Sequence, residues 1–406
     1  MPGLASPIEK MKEHYDVLVI GSGYGGGIAA SRLARAGRRV CVIERGREIQ
    51  PGGYPRTELD LLGEVQMDPP IKRFGSPAAL SARRIERQAE QWVVQAECTD
   101  EDGTVSQVHP RVDIVIVAAG TLGSTEILLR SREYGLALSP VLGSRFSGNG
   151  DTLGFAYNAD VAINGIGLGV HPTGTIEAVG PCSTAMIDAR SARDRELGVV
   201  MEDGAIPGAM ATLLPAILAA GAKLTGTDTD AGLCDRIEEL ARVVKSKFLG
   251  AYSGATRNTL FLLVVGHDDA AGKIFLEDDR ARVHWPDVGR QPHFARASEL
   301  MRRATQALGG TYIPNPVWNE LTDHNLVTGH PLGGCPMAES ADAGVVNHKG
   351  QVFSGAGAAV HPGLYVMDGS VIPRSLGANP LLTISALAER CCDQLARDYG
   401  WTIRYG

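Results

Sequence analysis

A glycine-rich turn, set between a strand pattern and a helix pattern, constrains the fold of this chain more than any other feature. Residues 15–20 (YDVLVI) form a short apolar run that is typical of a buried parallel strand. The turn Gly21-Ser-Gly23-Tyr24-Gly25-Gly26 follows at once, and residues 28–37 have the spacing of a helix. A second strand pattern, residues 39–44, closes on an acid. The segment therefore predicts a βαβ unit.

The spacing of this turn, G-x-G-x-x-G, indicates a dinucleotide site. Gly21 permits a tight turn, Gly23 lets a pyrophosphate approach the backbone, and Gly26 lets helix and strand pack closely. The N–H groups at the helix N-terminus attract phosphate. Glu44 lies 23 residues after Gly21, where a carboxylate accepts hydrogen bonds from ribose hydroxyls and repels a 2′-phosphate. The motif disfavours NADP and does not distinguish FAD from NAD.

The rest of the chain changes from an α/β pattern to an antiparallel one and back. Strand patterns recur at residues 111–120, 161–179, 260–266, 273–276 and 281–285, and helix patterns at 121–132, 295–308 and 380–399. We predict an α/β (α+β) fold with a discontinuous Rossmann-like domain and an inserted antiparallel-sheet substrate domain. The predicted bounds are 1–150 and 323–406 for the first domain and 151–322 for the second.

Composition excludes several classes of function. The net charge is −7 without a basic run, which argues against nucleic acid as a partner. The seven cysteines include no CxxC pair, so we expect reduced thiols in a cytoplasmic protein and no metal site. Residues 1–13 have no apolar signal core. The apolar residues 205–224 contain two prolines, so a lid or a buried helix is expected there, and contact with a membrane surface is left open for a lipid substrate.

Five motifs resemble the glucose-methanol-choline (GMC) oxidoreductase family, and most of all its cholesterol oxidase branch. The first is the glycine-rich turn with its two strands. The others are residues 118–129 (AAGTLGSTEILL), 309–316 (GGTYIPNP), 330–335 (HPLGGC) and the run from 363–373 (GLYVMDGSVIP) to 377–390 (GANPLLTISALAER). The resemblance covers most of the chain outside residues 54–84.

The resemblance implies an FAD-dependent oxidation of a bulky secondary alcohol, such as a sterol. His330 and Asn379 fall on the family's catalytic pair. A histidine supplies a base near neutral pH for the hydroxyl proton, and an asparagine holds the substrate oxygen without adding charge. The alternatives are a turn histidine bonded to backbone and an asparagine that caps the helix after Pro380.

The resemblance also assigns a third catalytic residue and the cofactor site. Glu202, by its spacing to Pro207, resembles the carboxylate by which cholesterol oxidases shift the steroid double bond, and an exposed acidic turn is the alternative. For Asp368, Gly369 and Gly120 the alternative is an ordinary turn. The residues assigned to FAD are Gly21, Gly23, Tyr24, Gly25, Gly26, Glu44, Arg45, Ala119, Gly120, Asp368, Gly369, Asn379, Pro380 and Leu381.

The chain departs from the family in one place. Only 73 residues separate Glu44 from Ala118, so a block with a second glycine-rich stretch is missing, and self-association becomes a way to complete the site. A flavin left open to water would lose part of the preorganised electrostatics that favour hydride transfer. The rival functions are therefore a non-redox isomerase or lyase and a catalytically silent shortened relative. An NAD-dependent dehydrogenase is a more distant alternative.

Overall fold

The fold is taken from a computed structural model that describes residues 4–46, 48–50, 53–64, 80–99, 104–167, 183–190, 197–230 and 232–405. The strands are β1 His14–Ile20, β2 Val40–Ile43, β3 Leu80–Gln88, β4 Gln91–Thr99, β5 Val105–Val108, β6 Arg111–Val117, β7 Thr152–Tyr157, β8 Ile166–Gly167, β9 Met186–Asp188, β10 Val200–Gly204, β11 Ile206–Pro207, β12 Thr227–Asp228, β13 Leu260–Val265, β14 Lys273–Glu277, β15 Arg280–His284, β16 Thr311–Pro314, β17 Gln351–Phe353 and β18 Val360–Val366. The α-helices are α1 Tyr24–Arg35, α2 Glu58–Glu64, α3 Gly120–Glu133, α4 Leu214–Thr225, α5 Leu233–Leu249, α6 Gly254–Arg257, α7 Pro292–Leu308 and α8 Leu381–Asp398. Short 3₁₀ turns lie at Ile8–Lys10, Gly208–Met210, Val288–Arg290, Glu320–Thr322 and Gly369–Val371.

The first sheet is Rossmann-like, as predicted. Its central order is β17-β18-β6-β1-β2, in which β18, β6, β1 and β2 run parallel. The antiparallel strands β3, β4 and β5 join it through β4, which pairs with the start of β6. Because β1, α1 and β2 belong to one end of the sequence and β18 and α8 to the other, the two ends of the chain build one sheet.

The alternation of apolar side chains in β1 gives this sheet two buried faces. Val17 and Val19 pack with residues of α1 and α8 in one cluster, while Leu18 and Ile20 pack with residues of α3 in another. All four are buried. A central parallel strand covered on both faces has no polar position, which explains the continuous apolar run in the sequence.

The second sheet is antiparallel and comes from the middle of the chain. Its order is β12-β16-β7-β13-β10-β9, and each adjacent pair of strands is antiparallel. One face carries Met201, Leu262 and Val264, which pack against Ala297 and Met301 of α7. The other face is partly covered by α4 and is described with the site below. The predicted domain bounds at 150 and 322 stay predictions.

The β14–β15 hairpin belongs to the first core although its sequence lies in the middle of the chain. Ile274 is buried in the cluster of the first sheet. Arg130 of α3, which is 3% exposed, donates to the Asp279 carboxylate at the hairpin turn and pairs with Glu126 at 2.9 Å. The alternating pattern predicted these strands correctly, but it did not predict their docking on α3 instead of on the second sheet.

The predicted helices at residues 121–132, 295–308 and 380–399 are confirmed as α3, α7 and α8. Residues 168–179 of the predicted strand region at 161–179 lie outside the described residues. The apolar stretch 205–224 forms a 3₁₀ turn and α4, a helix with one buried side. Among the described helices, none has both the length and the apolar character needed to cross a bilayer.

Candidate active site

The glycine-rich turn packs against the carboxyl ends of β6 and β18. Gly21 has a φ of +100°, and a Cβ there would lie 2.3 Å from the carbonyl oxygen that follows β6. A Cβ on Gly26 would lie 2.0 Å from the Gly21 oxygen, and one on Gly25 would lie 1.6 Å from the carbonyl oxygen that follows β18. A Cβ on Gly23, in contrast, has no atom within 4 Å. The backbone is therefore closed at three glycines and open at the one that a pyrophosphate would approach.

Glu44 follows β2 and interacts with the same turn. Its carboxylate accepts hydrogen bonds from the Ser22 amide and hydroxyl, both at 2.8 Å, and from the Gly46 amide at 3.0 Å. Burial opposes ionisation, but these hydrogen bonds outweigh it and hold the pKa of Glu44 below its usual value. The carboxylate is thus ionised beside the turn, as recognition of a ribose requires. Arg45, the next residue, is exposed.

Asp368 ties the C-terminal part of the chain to α3. Its buried carboxylate accepts hydrogen bonds from the Gly120 amide at 2.9 Å and from the Ser370 amide at 2.9 Å, and it also bonds the Ser124 hydroxyl. Burial raises the pKa of Asp368 although each of these bonds lowers it. Asp368 therefore fixes how the end of β18 meets the start of α3, at the floor of the cleft described next.

A cleft of about 440 Å³ opens between the glycine-rich turn and the start of α8. It brings together nine of the predicted cofactor residues, with His330, although they are widely separated in the chain. The predicted residues that line it are Gly23, Tyr24, Gly25, Gly120, Asp368, Gly369, Asn379, Pro380 and Leu381. Gly21, Gly26, Glu44, Arg45 and Ala119 do not line it. The open backbone at Gly23, the N-terminus of α1 and the ionised Glu44 suit the pyrophosphate and ribose of a dinucleotide.

His330 is held by a carboxylate that sequence reasoning missed. Asp151 is buried just before β7, and it lies 3.1 Å from His330 Nδ1. It also accepts from the amides of His330 and Gly329, at 3.0 and 2.8 Å, and from the Thr328 hydroxyl at 3.0 Å. Because a carboxylate only accepts, Nδ1 carries the proton in the neutral ring and Nε2 has the free lone pair. The Asp151 hydrogen bond raises the pKa of His330, against an opposing effect of burial.

Asn379, which lines the cleft, forms a second polar pair with Glu202. The Asn379 amide nitrogen lies 3.1 and 3.0 Å from the two carboxylate oxygens of Glu202. Glu202 lies in β10 and is 5% exposed. Its negative charge adds to the effects that raise the pKa of His330. The three predicted catalytic residues are thus brought together from separate parts of the chain.

The structure contradicts the alternative, non-catalytic roles considered for these three residues. His330 is bonded through its ring to a carboxylate instead of to backbone. Asn379 does not cap the final helix, since α8 begins after Pro380 with no side-chain cap. Glu202 is buried in a strand, so an exposed acidic turn is wrong, whereas the neighbouring Asp203 bonds the amides of residues 184 and 185. None of this tests the catalytic roles, which stay predictions.

Residues 147–151 connect the His330–Asp151 pair to the Asn379–Glu202 pair. Asn149, fully buried with a φ of +58°, accepts from the amides of Leu376 and Gly377 and donates to the Ala378 oxygen at 3.0 Å. Asp151, two residues further along the chain, is hydrogen-bonded to His330. One short segment therefore positions both the imidazole and the loop that leads to Asn379. In the sequence this segment is the polar run S-G-N-G-D, which by itself does not point to the site.

The wall next to Glu202 is apolar. The register of the second sheet places Glu202 opposite Leu263, and Leu263 opposite Leu153. Two residues further along, Phe261 pairs with Phe155 on the same face, with their ring centroids 5.5 Å apart. The four apolar side chains are half-buried. A carboxylate and an amide thus lie at the edge of a surface that suits a hydrocarbon skeleton.

Two regions of the chain match models of known protein families. Residues 276–388 match the model of the GMC oxidoreductase C-terminal domain, and residues 19–74 match that of the NAD(P)-binding Rossmann-like domain. Over the residues matched, these models confirm the resemblance to the GMC oxidoreductases that the sequence motifs indicate.

The similar proteins include cholesterol oxidases. Over 142 residues the chain is 48% identical to the cholesterol oxidase of Acinetobacter baumannii, which covers 33% of this chain and 24% of that protein. Over 142 residues it is 29% identical to the cholesterol oxidase of Mycobacterium tuberculosis, covering 33% of this chain and 23% of that protein. The match thus spans about a quarter of the length of these relatives.

Solved structures support the fold. The pyridoxine 4-oxidase from Mesorbium loti superposes with a TM-score of 0.52 at 14% identity, over 94% of this chain and 99% of that chain. A fungal aryl-alcohol oxidase superposes with a TM-score of 0.51 at 13% identity, over 96% of this chain and 100% of that chain. At such identities the likeness shows the fold alone, and it confirms the predicted mixed α/β class.

The contrast between Gly23 and Gly25 gives a direct test of cofactor binding. Gly23→Ala is expected to weaken FAD binding by about tenfold or more, while the free energy of unfolding changes by less than about 1 kcal/mol, because the added Cβ meets only open space. Gly25→Ala is expected to cost about 3 kcal/mol of stability. Urea unfolding without FAD and titration with FAD measure the two effects. Undiminished FAD binding by Gly23→Ala would contradict the assignment.

The link between Asp151 and His330 predicts a change in titration. In Asp151→Asn the pKa of His330 is expected to fall, because the hydrogen bond to a negative group is the main cause of its elevation. The imidazole then stays neutral to lower pH, so any activity that needs a neutral base extends further into acid. NMR titration of the histidine ring protons measures this. Asp113→Asn, which removes a carboxylate 3.0 Å from His14, is the control and leaves the His330 titration unchanged.

Proposed function

We propose that this protein is an FAD-dependent oxidoreductase that oxidises the CH–OH group of a bulky secondary alcohol, sterol-like in shape. The observation that carries the proposal is the convergence of His330 and Asn379 on one cleft, each held by a buried carboxylate, Asp151 and Glu202. The matched GMC oxidoreductase domain supports the reaction class. The proposal places the residues predicted from the sequence in their predicted roles.

The chain's own residues handle the proton and the orientation of the substrate. His330 Nε2 accepts the proton of the substrate hydroxyl, and Asp151 stabilises the resulting imidazolium. The Asn379 amide holds the substrate oxygen, and its bond to Glu202 fixes the orientation of that amide. Bound flavin would supply the acceptor for the hydride that leaves the carbinol carbon, and the product is a ketone.

The apolar wall and the relatives support a bulky apolar substrate. Leu153, Phe155, Phe261 and Leu263 form a half-buried hydrocarbon surface beside Glu202. The relative that is 48% identical over 142 residues is a cholesterol oxidase. If the substrate is a steroid with a double bond near its hydroxyl-bearing carbon, Glu202, which contacts Asn379, can act as the base that moves a proton between carbons.

Further observations support the proposals for the cofactor, the cellular compartment and the partners. Glu44 beside the open Gly23 supports a dinucleotide with an unphosphorylated ribose, and the matched GMC oxidoreductase domain supports FAD as that dinucleotide. The described cysteines are free thiols, which fits the predicted cytoplasmic setting, and Cys182 lies outside the described residues. The net charge of −7 fits a small-molecule substrate better than nucleic acid.

A second candidate is a non-redox isomerase on the same fold, and the openness of the cleft favours it. Two side chains that line it are widely exposed, Tyr24 at 56% and Leu381 at 42%. Water at a flavin placed there would weaken the electrostatics of hydride transfer. Proton transfer by His330 and Glu202 depends less on that edge, because Glu202 is buried against the second sheet.

The proposal predicts flavin reduction that depends on His330. Anaerobic addition of a 3β-hydroxysteroid to the FAD-loaded protein is expected to bleach the visible flavin bands. His330→Gln should keep the flavin and slow the bleaching by about 10²–10⁴-fold, because the base is lost. The surface variant His284→Gln is the control and should reduce at the wild-type rate. Bleaching of His330→Gln at the wild-type rate would refute the assignment, and a colourless protein that takes up no FAD would favour the second candidate.

The isomerising role of Glu202 has its own readout. With a 5-ene-3β-hydroxysteroid, the wild type is expected to release the conjugated 4-ene-3-one, whereas Glu202→Gln accumulates the 5-ene-3-one, with isomerisation slowed by about 10²–10⁴-fold. The glutamine retains a hydrogen-bond partner for Asn379. Chromatography of the products separates the two ketones, and Asp203→Asn is the matched control on the same strand. Equal proportions of conjugated product from Glu202→Gln and the wild type would remove Glu202 from the mechanism.

A further inference from the structure

Asp268, in the loop after β13, has a carboxylate that the proposed mechanism does not use. It is half-buried, and both of its oxygens accept hydrogen bonds. Oδ2 accepts from the Ser147 hydroxyl at 2.9 Å and from the Gly150 amide at 2.8 Å, and Oδ1 accepts from the Ala270 amide at 3.0 Å. Burial raises the pKa of Asp268, while these bonds favour its ionised form. The carboxylate therefore binds residues 147–151 to the loop that follows β13.

The segment that Asp268 binds contacts the chain on both sides of His330. At its first residue, Ser147 and Leu332 exchange backbone hydrogen bonds of 3.0 and 2.9 Å. At its last residue, Asp151 accepts from the His330 amide and lies 3.1 Å from the ring nitrogen Nδ1. The position of the imidazole therefore depends on how this segment is held.

The same segment holds the loop that leads to Asn379. The Asn149 side chain accepts from two amides of that loop and donates to one of its carbonyl oxygens. The Ser147 hydroxyl, which donates to Asp268, accepts from the Asn149 amide at 2.9 Å. The Asp268 carbonyl oxygen also accepts from the Ser375 hydroxyl at 3.3 Å. Asp268 is thus linked to the Asn379 loop both directly and through Asn149.

The backbone of the segment is shaped for this contact. Gly150 has a φ of +64°, and a Cβ there would lie 2.5 Å from the carbonyl carbon of Gly266. The Gly266 amide donates to the Asn149 oxygen at 3.0 Å. Since glycine tolerates both the φ and the close approach, the segment lies against the end of β13, where the Gly150 amide reaches Asp268.

We propose that Asp268 is a positioning residue for both proposed catalytic groups, and that it sets the His330 imidazole and the Asn379 amide relative to each other through residues 147–151. This inference rests on the proposed function, because it concerns the same reaction. Asp268 does not line the cleft, so it acts through the segment and not on the substrate. Reacting groups must be held to within about 0.5 Å of the productive geometry, so a displaced segment slows the reaction.

The test is Asp268→Asn, because an asparagine has one oxygen where Asp268 uses two. Flavin reduction by a 3β-hydroxysteroid is expected to slow by about 10–100-fold, while the steroid concentration that gives half the maximal rate changes by less than about threefold. The pKa of His330 is expected to fall, because the Asp151 hydrogen bond that raises it is loosened. Stopped-flow absorbance measures the first two quantities and NMR titration the third. A general loss of stability leaves the titration of the folded protein unchanged.

Asp269→Asn is the matched control, since it removes the same charge from the neighbouring residue. The Ala271 amide and the Trp285 indole both donate to Oδ1 of Asp269, at 3.0 Å, so an asparagine keeps these bonds. This variant should match the wild type in the rate of flavin reduction and in the His330 titration.

Two further variants test the links separately. Asn149→Gly keeps the left-handed backbone, whose φ is +58°, and removes the side chain that holds the Asn379 loop. It should slow flavin reduction by about tenfold and leave the His330 titration as in the wild type. Ser147→Ala removes one bond to Asp268 and should shift the rate and the His330 pKa in the same direction as Asp268→Asn, by less.

The outcomes separate this inference from the proposed function. A wild-type rate and an unchanged His330 pKa in Asp268→Asn would overturn the inference. So would equal changes in Asp268→Asn and Asp269→Asn, since the loss of charge alone would explain them. If the wild type binds FAD but no steroid reduces it, while Asp268→Asn still lowers the His330 pKa, the proposed reaction is wrong and the positioning of His330 is supported.

Discussion

The close approach of the glycine-rich turn to the ends of β6 and β18 is the constraint on which the rest of the structure depends. With a Cβ at Gly25 only 1.6 Å from a backbone oxygen, no other residue allows α1 to start where it does. That contact joins β1 and α1, from the start of the chain, to β18, from its end. The cleft exists because these segments meet there, and Asp368 then fixes α3 against the same point.

The second sheet contributes chemistry that the first sheet lacks. Glycines and backbone amides line the dinucleotide side of the cleft, and they bind without titrating. The groups proposed to handle protons are His330, positioned by Asp151 just before β7, and Glu202 within β10. The cleft therefore lies between a sheet whose glycine-rich turn is proposed to hold phosphate and ribose and a sheet that carries buried carboxylates. Residues 147–151 connect the two, because they contact both His330 and the loop before Asn379.

Patterns within short stretches of the sequence predicted most of what was predicted of the fold, whereas contacts between residues far apart in the chain were missed. The βαβ unit and helices α3, α7 and α8 follow from periodicity and from glycine positions, which act within a few residues. The family resemblance supplied His330, Asn379 and Glu202. Asp151 was missed because its partner lies 179 residues away, and nothing local separates it from any aspartate at the start of a strand. The docking of the β14–β15 hairpin was missed for the same reason, since it rests on a contact between Arg130 and Asp279.

The proposed reaction has two parts, hydride transfer and proton transfer, and they differ in how far they depend on the exposed edge of the cleft. Hydride transfer is sensitive to water at the ring, and that side carries the exposed Tyr24 and Leu381. Proton transfer depends on Asp151 and Glu202, which are buried and hydrogen-bonded whatever covers the opposite edge. A shortened chain can therefore keep its acid–base apparatus intact while its redox chemistry weakens. In the proposed mechanism the proton-handling groups are the part of the site that the second sheet buries, and redox turnover would depend on how well the exposed edge is shielded from solvent.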